Sequence, residues 1–406
     1  MALAPAPPLL LLAALLLASH ASANSTQPQR SCLAHASVVQ GGGGGGSAKQ
    51  PRSAFTTDYQ SCPYIQKGVV MPHYRCERKE TRLLAGKYDL AFPPGRASAC
   101  GAKLPPVRDA VRRLAELLAH GRRRLCLSGD SLLNQMYHGI ECMLHGAGLV
   151  SARRLSQQMS ARYKIKVPWA IEVDVKGGGS IRYAKSFPCG DGVKQVFDEC
   201  GKADVVALNA AYLHCSHITG TLNRDMGDGA RVNAAKTKGA VRDMLRQVRK
   251  RYSDVILVGQ PAVELVNIRN GPDYRKTHDR HHRHKGDVHA RTLSRLEAEV
   301  ARDAGVSYVP SYALTRHPLD ERLREAWKRQ YSIGRTDKVH YCLAGGVVDF
   351  AAYGVVVRAG EALNGTSTEG DDEPWWWEER GDASSKRKPA SGRKRWRRGR
   401  RGRSSL

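Results

Sequence analysis

Three short apolar runs rich in valine set the frame for the whole chain: DVVALN at 204–209, DVILVG at 254–259 and Val306 to Tyr312. Each is too short for a helix and carries no polar alternation, which is the pattern of a strand buried on both faces. A fourth run, Leu125 to Ser128, has the same character. Between the runs the apolar period changes to that of a helix. Val107, Val111, Leu114, Leu117 and Leu118 follow Pro105-Pro106, and Leu132, Met136, Ile140, Met143 and Leu144 follow the fourth run. Further helical stretches are read around 232–252 and 287–304. Strands alternating with helices predict a mainly parallel sheet covered on both sides, a three-layer α/β fold whose ligand site lies beyond the carboxyl ends of the strands. With 41% hydrophobic residues in 406, the chain has the material for a sizeable core.

The flanks read differently. Leu9 to Ala18 is about half the length needed to cross a bilayer and is followed by Ala21-Ser22-Ala23, so 1–23 is expected to be a secretory signal peptide or, failing cleavage, a short Golgi anchor. Residues 24–53, with the glycine run Gly41 to Gly46, are expected to form a stalk, and 54–365 the folded domain. The stretch 366–406 reads as a disordered tail, acidic and Trp-rich first and Arg-rich after. Lys386 to Arg403 holds 11 Lys/Arg; without them the net charge falls from +27 to +16, so the body is basic by itself. Ten cysteines without a C-x-x-C pair fit an oxidising lumen or secretion, with most of them bridged. Cys126, inside a strand, is expected to be a free buried thiol. Sequons stand at Asn24 and Asn364.

Chemistry concentrates where the fourth run turns into a helix, at Gly129-Asp130-Ser131. A serine there offers its hydroxyl, and its backbone N–H at a helix N-terminus is a donor for an oxyanion; Asp and Ser are also the ordinary N-cap residues. Asp337 and His340 lie three apart, close enough for a carboxylate to orient an imidazole, or simply for a turn with a surface histidine. Asn209, at the end of its run, is a second oxyanion-hole candidate or the end of a strand.

The three pieces together resemble a known family. GDSLLNQMYHGIECML at 129–144, DKVHYCLAGGVVD at 337–349 and YDLAFPPGRASACGAKLPP at 88–106 are similar to blocks of the GDSL/SGNH-like PC-esterase family. That family includes the plant trichome birefringence-like polysaccharide O-acetyltransferases. The resemblance spans most of 54–356 and implies an SGNH-hydrolase-like fold. Ser131 then matches the acylated nucleophile, His340 the general base and Asp337 the residue that orients it, with Asn209 in the oxyanion hole. Departures are Asn134 for Arg, Ala211 for Gly, Tyr341 for Trp and Ala344 for Pro.

The chemistry so implied is acyl transfer in two steps: O-acetyl transfer to a polysaccharide hydroxyl, or hydrolysis by a carbohydrate esterase. The acyl donor enters as a co-substrate, and no cofactor or metal is expected. His278, His281, His282, His284 and His289 are interleaved with Arg and Lys, which opposes a bound divalent cation and favours a solvated basic loop. Trp375-Trp376-Trp377 reads either as a stacking segment or as disordered chain. The expected partner is a polysaccharide, plausibly acidic given the charge, with no nucleic acid and no membrane unless the N-terminal segment is retained. The reading from another class is a non-catalytic, polyanion-binding matrix protein on the same scaffold.

Overall fold

The computed structural model describes residues 37–40, 88–91, 104–159, 166–188, 190, 192–210, 232–262, 283–315 and 347–366. Seven strands form the central sheet: β3 (Arg124–Gly129), β4 (Val150–Met159), β5 (Lys166–Val175), β6 (Ser180–Lys185), β7 (Val205–Leu208), β8 (Asp254–Val258) and β9 (Ser307–Val309). Their order across the sheet is β4-β5-β6-β3-β7-β8-β9. The pairs β6–β3, β3–β7, β7–β8 and β8–β9 are parallel, and β4–β5 and β5–β6 are antiparallel. β1 (Ser37–Gln40) and β2 (Tyr88–Ala91) form a separate antiparallel pair. The stretch 24–53, expected to be a stalk, therefore contains a strand.

Side chains alternate across each strand and so divide between two helical layers. On one face Leu125, Leu127, Val205, Ala207, Ile256, Val258 and Val309 pack with α1 (Val107–Ala119), α2 (Ser131–Gly146), α6 (Ser311–Thr315) and α7 (Val347–Leu363). On the other, Cys126, Val206, Leu208, Val255, Leu257 and Tyr308 meet α3 (Gly192–Cys200), α4 (Ala234–Val248) and α5 (Arg283–Asp303). This is the three-layer α/β arrangement expected from the alternation of strands and helices. α1 buries Val107, Val111, Leu114 and Leu118 as its period predicts, each worth roughly 2 kcal/mol of removed apolar surface. α7 is apolar nearly all round, and its one fully buried cation, Arg358, donates to the Tyr308 carbonyl at 3.1 Å and pairs with Glu361 at 2.9 Å. No helix among the described residues is long and apolar enough to cross a membrane.

Three expectations are corrected. Cys126 is not a free thiol: the alternation that buries it also aims it at the second layer, where Cys200 ends α3 at a Cα–Cα distance of 5.6 Å, and the two are bridged. Cys142 is also disulfide-bonded, to a cysteine outside the described residues. The run Val306 to Tyr312 is a strand only over Ser307–Val309; Pro310, without an N–H to continue the ladder, turns the chain into α6. His284 and His289 fall within α5 rather than in a loop, and the other three histidines of that group lie outside the described residues. Asn364, the sequon residue, is exposed just past α7.

β4 to β6 were not among the runs expected to be strands, and their composition explains it. β5 places Ile171, Val173 and Val175 in the first core while Glu172 and Asp174 face the other way. That polar side is tied by Arg182, which holds Glu199 at 2.8 Å, and by Ser180, which donates to Glu172 at 2.7 Å. β4 is joined to α2 by a buried cluster. Glu141 accepts from Arg153 and lies 3.0 Å from Nδ1 of His138, and it is fully buried. Burial by itself would raise the Glu141 carboxyl, but the hydrogen bond and charge of His138, then those of Arg153, hold it below its ordinary value of 4.5.

Replacing both bridged cysteines, Cys126→Ala/Cys200→Ala, releases a loop closed across 74 residues. The expected cost is about 4 kcal/mol and a fall of roughly 10 °C in Tm, read by calorimetry. Because Glu141 binds its proton less readily folded than unfolded, its contribution is complete above pH 4.5 and is lost as pH falls through the lowered folded value. Glu141→Gln should cost about 3 kcal/mol at pH 7, by leaving Arg153 without its counter-charge, and less at pH 3. Urea unfolding at the two pH values checks this.

Candidate active site

β3 lies at the centre of the sheet with parallel neighbours on both sides, and the chain leaves it toward β6 and returns on its other side as β7. Such a reversal opens a crevice at the carboxyl end of the central strand. Gly129 ends β3, Asp130 is the N-cap residue and Ser131 is the first residue of α2. The Asp130 side chain accepts from the backbone N–H of Leu132 at 2.9 Å, so the capping role weighed from sequence is present and belongs to Asp130.

Asn209 directly follows β7 and is buried against this turn. Its Nδ2 donates to Oδ1 of Asp130 at 2.8 Å, and its Oδ1 accepts from the Asp130 backbone N–H at 3.3 Å. The amide therefore clamps Asp130 from two directions. An amide nitrogen carries two hydrogens, so one N–H serves Asp130 and a second is available for another acceptor. Gly129 is dictated by this clamp: a Cβ there would fall inside the van der Waals shell of Asn209 Oδ1 and close to Leu133 Cδ2.

The neighbouring strand supplies the rest of the frame. The Tyr183 hydroxyl donates toward the Gly129 and Asp130 carbonyls, 3.1 Å from each. Ser128 Oγ donates to Ser186 Oγ at 2.9 Å, and the Ser186 N–H to the Gly129 carbonyl at 2.9 Å. Lys185 is the register partner of Gly129 and lies partly exposed at the same rim, 5.6 Å from the Phe187 ring centroid. Burial lowers the pKa of its ammonium, and the charge of Asp130 acts in the opposite direction. Tyr183, Lys185 and Ser186 were missed as site residues from sequence. The signal was the period-2 run SIRYAK, which places Tyr183 on the same face as α2 and ends beside Gly129.

Exposure singles out one residue. From Leu125 to Leu144 every residue is buried except Ser131. The serine stands at the positive end of a four-turn helix, where backbone N–H groups and the helix dipole favour negative charge. Asp337 and His340 lie outside the described residues, as does Ala211, so the structure brings together Ser131 and Asn209 of the sequence candidates, linked through Asp130.

The chain next enters the described structure at Val347, seven positions after His340, at the start of α7. Tyr353, in the first half of α7, donates to the Pro105 carbonyl at the start of α1, and Arg123, just before β3, donates to the Leu363 carbonyl at the other end. α7 thus begins at the carboxyl rim that carries Ser131 and ends at the amino rim.

No protein-family model matches the chain, and no curated protein does. Solved structures similar to it include an acetylxylan esterase from Geobacillus stearothermophilus, at 14% identity over 58% of this chain and 94% of that one, with a TM-score of 0.28. An α/β hydrolase from the metagenome of Lake Arreo, Spain, is 16% identical over 61% of this chain and 96% of that one, with a TM-score of 0.31. Phospholipase A1 from Streptomyces albidoflavus NA297 is 12% identical over 61% and 100%, with a TM-score of 0.29. At these scores the likeness assigns neither an activity nor a residue role.

Proposed function

We propose that the chain is a serine-dependent enzyme of acyl transfer acting on glycan esters, with Ser131 as the nucleophile. The observation that carries the reading is the partial exposure of Ser131, alone between Leu125 and Leu144, at a helix N-terminus fixed by Asp130 and Asn209. The sequence resemblance supplies His340 as base and Asp337 as its orienting acid, and the start of α7 at the same rim supports their reaching Ser131.

In the first step His340 removes the proton from Ser131 Oγ as the oxygen attacks the acyl carbonyl. The Oγ–C bond forms, the carbonyl electrons move to oxygen, and in this reading the Ser131 N–H and the second Asn209 N–H receive that oxyanion. Collapse expels the donor alkoxide, which takes the proton from His340. In the second step an incoming hydroxyl loses its proton to His340, attacks the acyl-serine and releases Ser131. A sugar hydroxyl as acceptor makes the enzyme a polysaccharide O-acetyltransferase, the finer reading that the sequence blocks favour; water makes it a carbohydrate esterase. The basic body suits an acidic polysaccharide.

A fluorophosphonate probe should label Ser131, with labelling abolished in Ser131→Ala and reduced at least 10²-fold in His340→Ala. Label on another residue, or undiminished label in His340→Ala, rejects the assignment. Acetate release from acetylated xylan against acetyl transfer to bare glycan then separates esterase from transferase.

Asn209→Ala should lower kcat by about 10²- to 10³-fold with little change in KM, since an oxyanion donor acts in the transition state. It should also cost about 1–3 kcal/mol by leaving Asp130 short of a donor. Gly129→Ala, which displaces the same amide, should follow it in both respects. Steady-state kinetics beside thermal melts test the pair; wild-type kcat in either variant would show that the amide does not serve the reaction.

A further inference from the structure

A second feature lies at the opposite rim of the sheet. α4 and α5 pack side by side on the second face and end together, α4 ahead of β8 and α5 ahead of β9. Between their last turns runs a groove of about 530 Å³, walled by Arg242, Arg246, Arg249 and Lys250 over an aliphatic floor of Leu245, Val300 and Ala304. Asp303 is the one acidic residue lining it.

Arg242 and Arg246 stand four residues apart on α4, about 6 Å along its axis, and Lys250 follows in the turn just past the helix end; all three are exposed, so their charges continue in one row. Arg242 reaches Asp303 at 3.4 Å and Arg246 reaches Asp243 at 2.9 Å, both in water, where such pairs hold weakly. Lys250 has no ion-pair partner among the described residues. Arg249 donates to the Ala304 carbonyl and closes one end of the groove. Cations at a helix C-terminus complement its dipole. That accounts for Arg249 and Lys250, and not for a row extending two turns back beside a cleft.

We propose that this groove binds a linear acidic polysaccharide, carboxylated or sulfated, laid along α4. A regular row of cations matches an anion on each successive sugar, and the aliphatic floor can accept the C–H faces of the rings. Among the described residues no aromatic side chain lines the groove, so unstacked nucleic-acid bases would find no platform in them. The choice of a sugar among polyanions also rests on the glycan-directed activity proposed above. The groove would anchor the polymer at the rim remote from Ser131, holding further stretches of it near the enzyme.

The test titrates the full chain with fluorescent oligogalacturonate, a heparin-derived oligosaccharide, neutral xylo-oligosaccharide and oligo-dT at several salt concentrations. Arg242→Ser/Arg246→Ser/Lys250→Ser should bind the acidic sugar at least 10-fold more weakly, with the slope of log K against log salt shallower by about 2, from three contacts at roughly 0.7 each. The galacturonate and heparin arms tell carboxylate from sulfate recognition, and neutral xylo-oligosaccharide should not bind this groove.

A control removing equal charge from exposed positions on α1, Arg108→Ser/Arg112→Ser/Arg113→Ser, should keep wild-type affinity. Equal weakening in both triples, no weakening in the first, or tighter binding of oligo-dT through the same three residues would overturn the proposal. Ser131→Ala should bind as wild type. An unreactive serine therefore leaves the groove standing, and lost groove binding leaves the labelling of Ser131 untouched.

Discussion

Asp130 carries a carboxylate with only 1% of its surface exposed, and an anion taken out of water persists only where donors or positive charge meet it. Here one oxygen accepts from the Leu132 N–H and from the Asn209 amide, and the other has no hydrogen-bond partner among the described residues. Two positive fields compensate: the N-terminus of α2, and Lys185 at the end of the adjacent strand. The consequence is geometric. β7 is fastened to the β3–α2 turn through Asn209, and β6 through the Tyr183 hydroxyl and the Ser186 N–H, so three neighbouring strands converge on the two residues before Ser131. The position of the serine follows from the burial of the aspartate.

α2 behaves as a rigid mount. Its residues from Leu132 to Leu144 are all buried, so it cannot roll about its axis without breaking contacts on every side. Nearly three turns below the serine, Glu141 binds His138 on its own helix and Arg153 on β4, which adds a charged tie where apolar packing alone would permit small slides. Electrostatic stabilisation of an oxyanion depends on donors that need no rearrangement at the moment of reaction. A helix held at its capped end by hydrogen bonds and further down by an ion cluster meets that requirement better than a loop would.

The parallel half of this architecture was legible because strands buried on both faces announce themselves as unbroken apolar runs. β3, β7 and β8 came from such runs to within a residue or two, and α1 and α2 from their period. β4 to β6 were not legible by that rule, because Glu172, Asp174 and Arg182 interrupt the apolar residues, and only a test for alternation would have found them. Cys126 shows a related limit. Its strand position was read correctly, but the face it points to, and hence Cys200 as its partner, depends on which helix covers that face. Ser131 and Asn209 were both candidates from sequence. That Asn209 meets Asp130 could not be, because the contact joins residues 79 positions apart through the pairing of β3 and β7.

Parallel strands also separate two kinds of work. Every βα turn places a helix N-terminus at the carboxyl rim and every αβ turn a helix C-terminus at the amino rim, so the two rims differ in electrostatic character before any side chain is chosen. The carboxyl rim, rich in backbone donors, accommodates a buried aspartate and a partly exposed serine. The amino rim, where α4 and α5 end in carbonyls, attracts cationic side chains, and Arg249 donates to one of those carbonyls. Once enough arginines gather there to neutralise the helix ends, the surplus faces outward as the row along α4. A basic groove and a partly exposed serine on opposite rims are thus two outcomes of one arrangement of helix dipoles.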